Sequence, residues 1–346
     1  MLRTAVVGLL AAASLCAAGR QIVVVDTDSC PFCDDGAALT ILLRSPEQVL
    51  VPGVTLVPGN TWPVQGAEYT RHILDLLHHP QMPIYTGAQT PLVHSAAMAK
   101  EWQRRWGALE YTGAFAQNPV DVHPAPGTHG LAGRPHAEDA VQFLVSEVER
   151  NPGAVTILAI GPMTNIALAI RLHPEIETRI QRIVFMGGNL HTAGNASPAA
   201  EFNFWFDPEA ARIVLRSRIP EKVMFGLDIC NTMPIRKPQF DQIVAAKTPL
   251  TELFREDLGD RYPGFVQHPA ATTYLWDSLA AAYVVDPGFV TRSELEYLDV
   301  LSAWGRFYGA TIPLDRRIAP DATPVRVMLQ LDYGRMWSLF KQKMTE

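Results

Sequence analysis

Four aspartates, Asp26, Asp28, Asp34 and Asp35, crowd into ten positions of the segment DTDSCPFCDDGAAL, residues 26–39. Carboxylates packed this closely repel one another and are driven toward protonation unless a cation neutralises them. Donors made only of oxygen suit a hard cation, Ca²⁺ or Mg²⁺. A helix N-terminus also accounts for Asp34 and Asp35, which would face the dipole at the head of GAALTILL. It does not account for Asp26 and Asp28, at the end of the preceding apolar run, so the segment reads as a cation site. Asp277, in TTYLWDSLAAAYVVDP, either caps the helix that follows or gives the cation another oxygen.

A second cluster, GNASPAAEFNFWFDPEAA at residues 194–211, interleaves Asn195, Glu201 and Asn203 with Phe202, Phe204, Trp205 and Phe206. Short polar groups among aromatic rings suit a polyhydroxylated ligand. A strand edge with capping Asn and Asp residues is the plainer alternative. Asn195-Ala196-Ser197 matches a glycosylation sequon. A glycan there would block the proposed site, so the match reads as incidental. Cys30-Pro31-Phe32-Cys33 has the spacing of a small disulfide loop. Its Asp-rich flanks do not suit a thioredoxin-like role, and the second pair of a structural zinc site is missing.

The elements that must position these residues alternate. Apolar, β-branched runs at Gln21–Val25, Val54–Val57, Val155–Ile160, Arg182–Met186 and Lys222–Leu227 read as strands of a sheet buried on both faces. Between them lie helical patterns. Over 136–149, Val141, Leu144, Val145 and Val148 form one apolar stripe, and Asp207-Pro208-Glu209 opens another helix with an Asp cap and Pro at its first position. The fold class expected is α/β, a single Rossmann-like domain over residues 20–346 with a mainly parallel sheet flanked by helices. Polar residues follow each strand: Asp26-Thr27-Asp28, Gly59-Asn60, Gly161 to Asn165, Gly187-Gly188-Asn189 and Asp228. In such sheets the ligand crevice lies outside the carboxyl ends of the strands. Residues 107–137, rich in Gly, Pro and His, read as a lid or binding loop.

Residues 1–19, MLRTAVVGLLAAASLCAAG, have a positive start, a short apolar stretch and small residues at the end, the pattern of a secretory signal peptide. The mature protein is therefore expected to be secreted, with no membrane anchor after cleavage, and to keep Cys30, Cys33 and Cys230. The full chain has 346 residues, 48% hydrophobic and 18% charged, with 29 Lys+Arg against 35 Asp+Glu, a net charge of −6. This excludes a disordered chain and a basic nucleic-acid binder. Four cysteines are too few for a disulfide-built scaffold.

Taken together, VVVDTD, DDGAAL, Gly59-Asn60, PIYTGAQTPL, His129-Gly130, ILAIGPMTNIALAI, IVFMGGN, AEFNFWFDPEAA, GLD and WDSLAAA resemble the inosine/uridine-type nucleoside hydrolases from about Gln21 to the C-terminus. The resemblance implies hydrolysis of a ribonucleoside N-glycosidic bond to ribose and free base, with one Ca²⁺ at the bottom of the pocket. Carried over by motif, Asp28, Asp35 and Asp277 would bind Ca²⁺ through side chains and Ile160 through its carbonyl. Asp28 would also be the general base. Asp34, Asn60, Asn195, Glu201 and Asn203 would hold ribose hydroxyls, with Met186 under the sugar. A homo-oligomer is implied as well.

Two departures stand out. The loop from Asp28 to Asp34 is longer than the family's usual one, 34 − 28 = 6 positions, and carries Cys30 and Cys33. Trp276 stands where many members have a His that protonates the leaving base. The ring either stacks on the base, which leans toward purines, or packs beneath Asp277. His123, His129, Trp62 and Trp106 are further candidates near the pocket. A phosphatase using Asp26-Thr27-Asp28, or a silent nucleoside- or sugar-binding protein, are the competing readings.

Overall fold

A computed structural model describes residues 19–116, 139–261 and 270–346. Its strands are β1 (Gln21–Thr27), β2 (Val49–Leu50), β3 (Val54–Leu56), β4 (Ile84–Thr86), β5 (Val155–Ala159), β6 (Arg182–Met186), β7 (Lys222–Phe225), β8 (Pro234–Ile235), β9 (Thr273–Tyr274), β10 (Val290–Val300), β11 (Thr311–Pro313) and β12 (Pro324–Leu331). Ten of them form one sheet in the order β11-β10-β12-β7-β6-β5-β1-β3-β4, with β2 also on β1. From β4 to β12 neighbours run parallel, and β10 pairs antiparallel with both β12 and β11.

The apolar runs are continuous because successive side chains enter cores on opposite faces. Val23 and Val25 pack into one core with Leu158, Val184 and Phe225. Val24 packs into the other with Ile157, Phe185 and Met224. Helices Cys33–Leu43, Pro63–Leu76, Trp276–Val285 and Tyr333–Thr345 cover the first face. Helices Ala140–Arg150, Thr164–Leu172 and Pro208–Leu215 cover the second. The expected α/β domain with a mainly parallel, helix-flanked sheet is what forms.

Several local readings shift. The strand expected over Lys222–Leu227 stops at Phe225, and Leu227–Cys230 is a helical turn. The stripe helix runs Ala140–Arg150 with Asp139 as its cap, and all four stripe residues are buried. Residues 136–138 lie outside the described residues, as do 1–18 of the expected signal peptide and 117–137 of the expected lid. No helix among the described residues is long and apolar enough to cross a membrane.

The strand order reverses direction at β1, with β3 and β4 on one side and β5 to β7 on the other. This is a topological switch point, where loops from neighbouring strands part and leave a crevice.

Candidate active site

A pocket of about 420 Å³ opens at that end, lined by Asp34, Asn60, Glu110, Tyr111, Ile160, Met186, Asn195, Glu201, Phe202, Asn203, Trp276 and Asp277. Nine of the eleven site residues read from the sequence are in this lining. The other two, Asp28 and Asp35, lie one layer behind it and are held through Asn60. The Asn60 backbone N–H donates to Asp28 Oδ2 at 2.6 Å, and its Nδ2 donates to Asp35 Oδ2 at 3.3 Å.

Asp28 stands just past β1, and its place depends on close approach by two glycines. A Cβ on Gly59 would meet Asp28 Oδ2 at 2.1 Å, and one on Gly161 would meet Asp28 Oδ1 at 3.0 Å. Asp34 and Asp35 occupy the first turn of helix Cys33–Leu43. Thr27 Oγ1 donates to Asp35 Oδ1. Asp34 Oδ2 accepts the backbone N–H of Asp277 at 3.0 Å, tying this helix to helix Trp276–Val285. The Asp277 carboxylate does not cap its own helix, whose N-cap is Leu275. Carboxylate oxygens of Asp34, Asp35 and Asp277 all lie within 4.8 Å of one another.

Such crowding has a price in proton affinity. Burial first, then the neighbouring Asp35 charge, pushes the Asp28 carboxyl well above the carboxylate range. Burial, then Asp34, Asp35 and Asp28, does the same to Asp277. Asp28 Oδ1 is buried without a hydrogen-bond partner. An orphaned oxygen, a cluster of like charges and an all-oxygen donor set fit a hard divalent cation.

The strand-edge alternative for residues 201–206 does not hold, because Phe202–Phe206 is a short helix capped by Glu201. Glu201 Oε1 accepts from Asn203 N, and Oε2 accepts from Gly188 N and Phe204 N, at 2.8 to 3.1 Å. Burial pushes its pKa up to about 6 against these donors. Asn203 Nδ2 donates to the carbonyls of Ile160 and Met186 at 3.2 and 3.1 Å. Asn195 Oδ1 accepts from Phe202 N at 2.8 Å.

Asp26 parts from the cluster. Strand alternation puts it on the Val24 face, opposite Thr27, which bonds Asp35, whereas Asp28 lies past the end of the strand. On that face Asp26 Oδ1 accepts from Thr55 Oγ1 at 2.6 Å and Asn165 Nδ2 at 2.8 Å. Burial lifts its pKa to about 7. Asp26 and Asp28 therefore do not act together as a phosphatase pair would. Trp62 packs on Phe115, and Trp106 on Trp102 and Trp304, and neither lines the pocket. His123 and His129 lie outside the described residues. Trp276 does line the pocket, beside Tyr274. Cys30 and Cys33 form a disulfide at the entry to the Asp34 helix. Glu110 and Tyr111 escaped the residue-level reading, although they fall in the stretch read as a binding loop.

A carboxylate-rich pocket at the switch point of a parallel sheet is the build of an α/β enzyme for a small polar ligand. The family described as inosine-uridine preferring nucleoside hydrolase matches residues 23–338. The pyrimidine-specific ribonucleoside hydrolase RihA of Salmonella enteritidis is 33% identical over 284 residues, covering 79% of this chain and 82% of the relative. Among solved structures, the plant nucleoside hydrolase PpNRh1 matches with TM-score 0.77 at 24% identity, covering 94% of this chain and 99% of that one. A purine-preferring ribonucleoside hydrolase from Gardnerella vaginalis matches with TM-score 0.74 at 25% identity, covering 94% and 98%. The chain belongs to the inosine-uridine preferring nucleoside hydrolase family. It is a hydrolase of N-glycosyl compounds.

Proposed function

We propose that the protein hydrolyses the N-glycosidic bond of ribonucleosides to ribose and free base, with Ca²⁺ as its cation. The observation that carries this reading is the buried Asp28, Asp35 and Asp277 carboxylates beside a pocket lined by Asn60, Asn195, Glu201 and Asn203. Asp28, Asp35, Asp277 and the Ile160 carbonyl would hold the cation. When bound, it supplies Lewis acidity toward water and the ribose diol.

Asp28 Oδ1, the oxygen without a partner, takes the proton of the attacking water. The water oxygen bonds to C1′ as the C1′–N bond breaks, and the base leaves with that electron pair and takes a proton from solvent, while Asp28 returns its own to solvent. The transition state has oxocarbenium character, so surrounding carboxylates favour its positive charge. Asp34, Asn60, Asn195, Glu201 and Asn203 hold the sugar hydroxyls, Met186 lies under the ring, and Trp276 stacks on the base. Stacking favours the larger purine surface, whereas the curated relative is named pyrimidine-specific.

The test is to give the purified protein with Ca²⁺ inosine, adenosine, guanosine, uridine and cytidine and to measure reducing sugar. Release of ribose is expected, with purines ahead; no ribose from any of the five sinks the proposal. Asp28→Asn is expected to lower kcat by at least about a hundredfold, as loss of a general base does, with the fold retained by circular dichroism. Residues 1–19 are further proposed to direct export, and the mature chain to associate with itself.

A further inference from the structure

Tyr111 stands at the pocket with its phenol donating to Asn60 Oδ1 at 2.8 Å. A primary amide has one acceptor end and one donor end. With the acceptor end taken by Tyr111, Nδ2 gives one of its two protons to Asp35 behind the pocket lining, and Asn60, itself in that lining, keeps a second N–H on the same end. A sugar hydroxyl whose own proton points to a carboxylate needs a donor at its oxygen, and Asn60 in this orientation offers one.

The segment carrying Tyr111 is itself fixed at both ends. The backbone N–H of Glu110 donates to the Ala196 carbonyl at 3.0 Å, and that of Ala114 donates to the Gly59 carbonyl at 2.7 Å. Gly113 lies at φ 50°, and a Cβ there would meet the Gly59 carbonyl oxygen at 2.3 Å. Residues 110–114 thus bridge the Gly59-Asn60 turn and the Asn195-Ala196 turn. The Tyr111 ring lies 4.7 Å from Phe202, tilted by 59°. Backbone and ring contacts thus set its position, and its hydroxyl reaches Asn60.

We infer that Tyr111 is a positioning residue for substrate, acting through Asn60 by holding its amide donor toward the ribose. This rests on the reading of the pocket as a ribonucleoside site. Tyr111→Phe keeps the ring and removes only the donor. Without it, Asn60 is left with the longer 3.3 Å bond to Asp35, and its amide swings.

The experiment measures kcat and KM on the best nucleoside of the panel for wild type, Tyr111→Phe, Asn60→Ala and the double variant, with melting temperatures alongside. Tyr111→Phe is expected to raise KM by about 3- to 10-fold, the worth of one hydrogen bond, with kcat within about twofold. The double variant is expected to match Asn60→Ala within about twofold, because the phenol acts only through that amide. A Tyr111→Phe enzyme with unchanged KM overturns the inference, and so do losses that multiply in the double variant. Binding of nucleoside by wild type without turnover defeats the hydrolase reading but leaves the same comparison to be made in Kd. Neither binding nor turnover overturns both.

Discussion

Asp28 and Asp277 are held in the native state at a proton affinity raised by burial and by each other's neighbours. A native fold that confines like charges is stabilised by whatever neutralises them, by mass action on the folded state. Ca²⁺ at about a hundred times its Kd is expected to stabilise the protein by about 2.7 kcal/mol, read as a rise in melting temperature that a chelator reverses. Asp277→Asn is expected to melt higher than wild type without cation and to gain less from Ca²⁺. An identical gain in both would remove Asp277 from the site. The grouping of Asp28, Asp34 and Asp35 was legible in the sequence because close aspartates demand an explanation, whereas Asp26 turned away from them and Asp277, distant in the chain, joined them only through the resemblance. Glu201 was legible as polar but not as a cap. Two of its three backbone donors belong to the short helix it caps, and the third, Gly188, turns back toward it at φ 76° from the loop after β6. Tyr111 gave no residue-level signal, since an aromatic residue in an irregular stretch carries no period.

At the scale of elements, central strands were readable because each buries both faces. β10 was not, since much of it is only partly buried and it lies on the antiparallel side of the sheet. The overrun at Lys222–Leu227 has a similar cause: the apolar Leu227 belongs to a buried helical turn that continues the core without the strand. One element-level contact also bears on acid stability. His94 lies edge-on to Phe115, Trp205 and Tyr308, joining the loop after β4 to the aromatic helix Phe202–Phe206. Burial lowers its pKa from the ordinary 6.5 to about 4, although the Phe206 and Trp205 backbone opposes this. Between those values the unfolded chain takes up a proton that the native chain refuses. His94 therefore withdraws native-state stability as pH falls from about 6.5 to about 4, by roughly 3 kcal/mol, against the opposite contribution of Asp26 and Glu201, whose buried carboxyls bind protons more readily in the native state. Urea midpoints at pH 7 and pH 4.5 measure it, and the change between them should be less unfavourable in His94→Gln than in wild type. An equal change in both proteins would show that the ring does not contribute.

At the scale of the whole molecule, alternation of strand and helix was enough to predict a crevice at the carboxyl ends of the strands. It was not enough to predict which loops cross it, because those contacts join distant parts of the chain. Export and self-association belong to this scale. Protein recovered outside the producing cell should have the mass of a chain lacking about the first 19 residues, and sedimentation should give a multiple of that mass. A full-length mass, or a sedimenting monomer, would reject the corresponding half of the proposal. The hydrogen bond from Asp277 to Asp34 spans 243 residues. A ribosome therefore releases the first acidic loop long before the residue that completes the cluster exists. The acidic cluster cannot assemble until synthesis has passed residue 277 of 346, so its closure belongs to the late stage of chain growth.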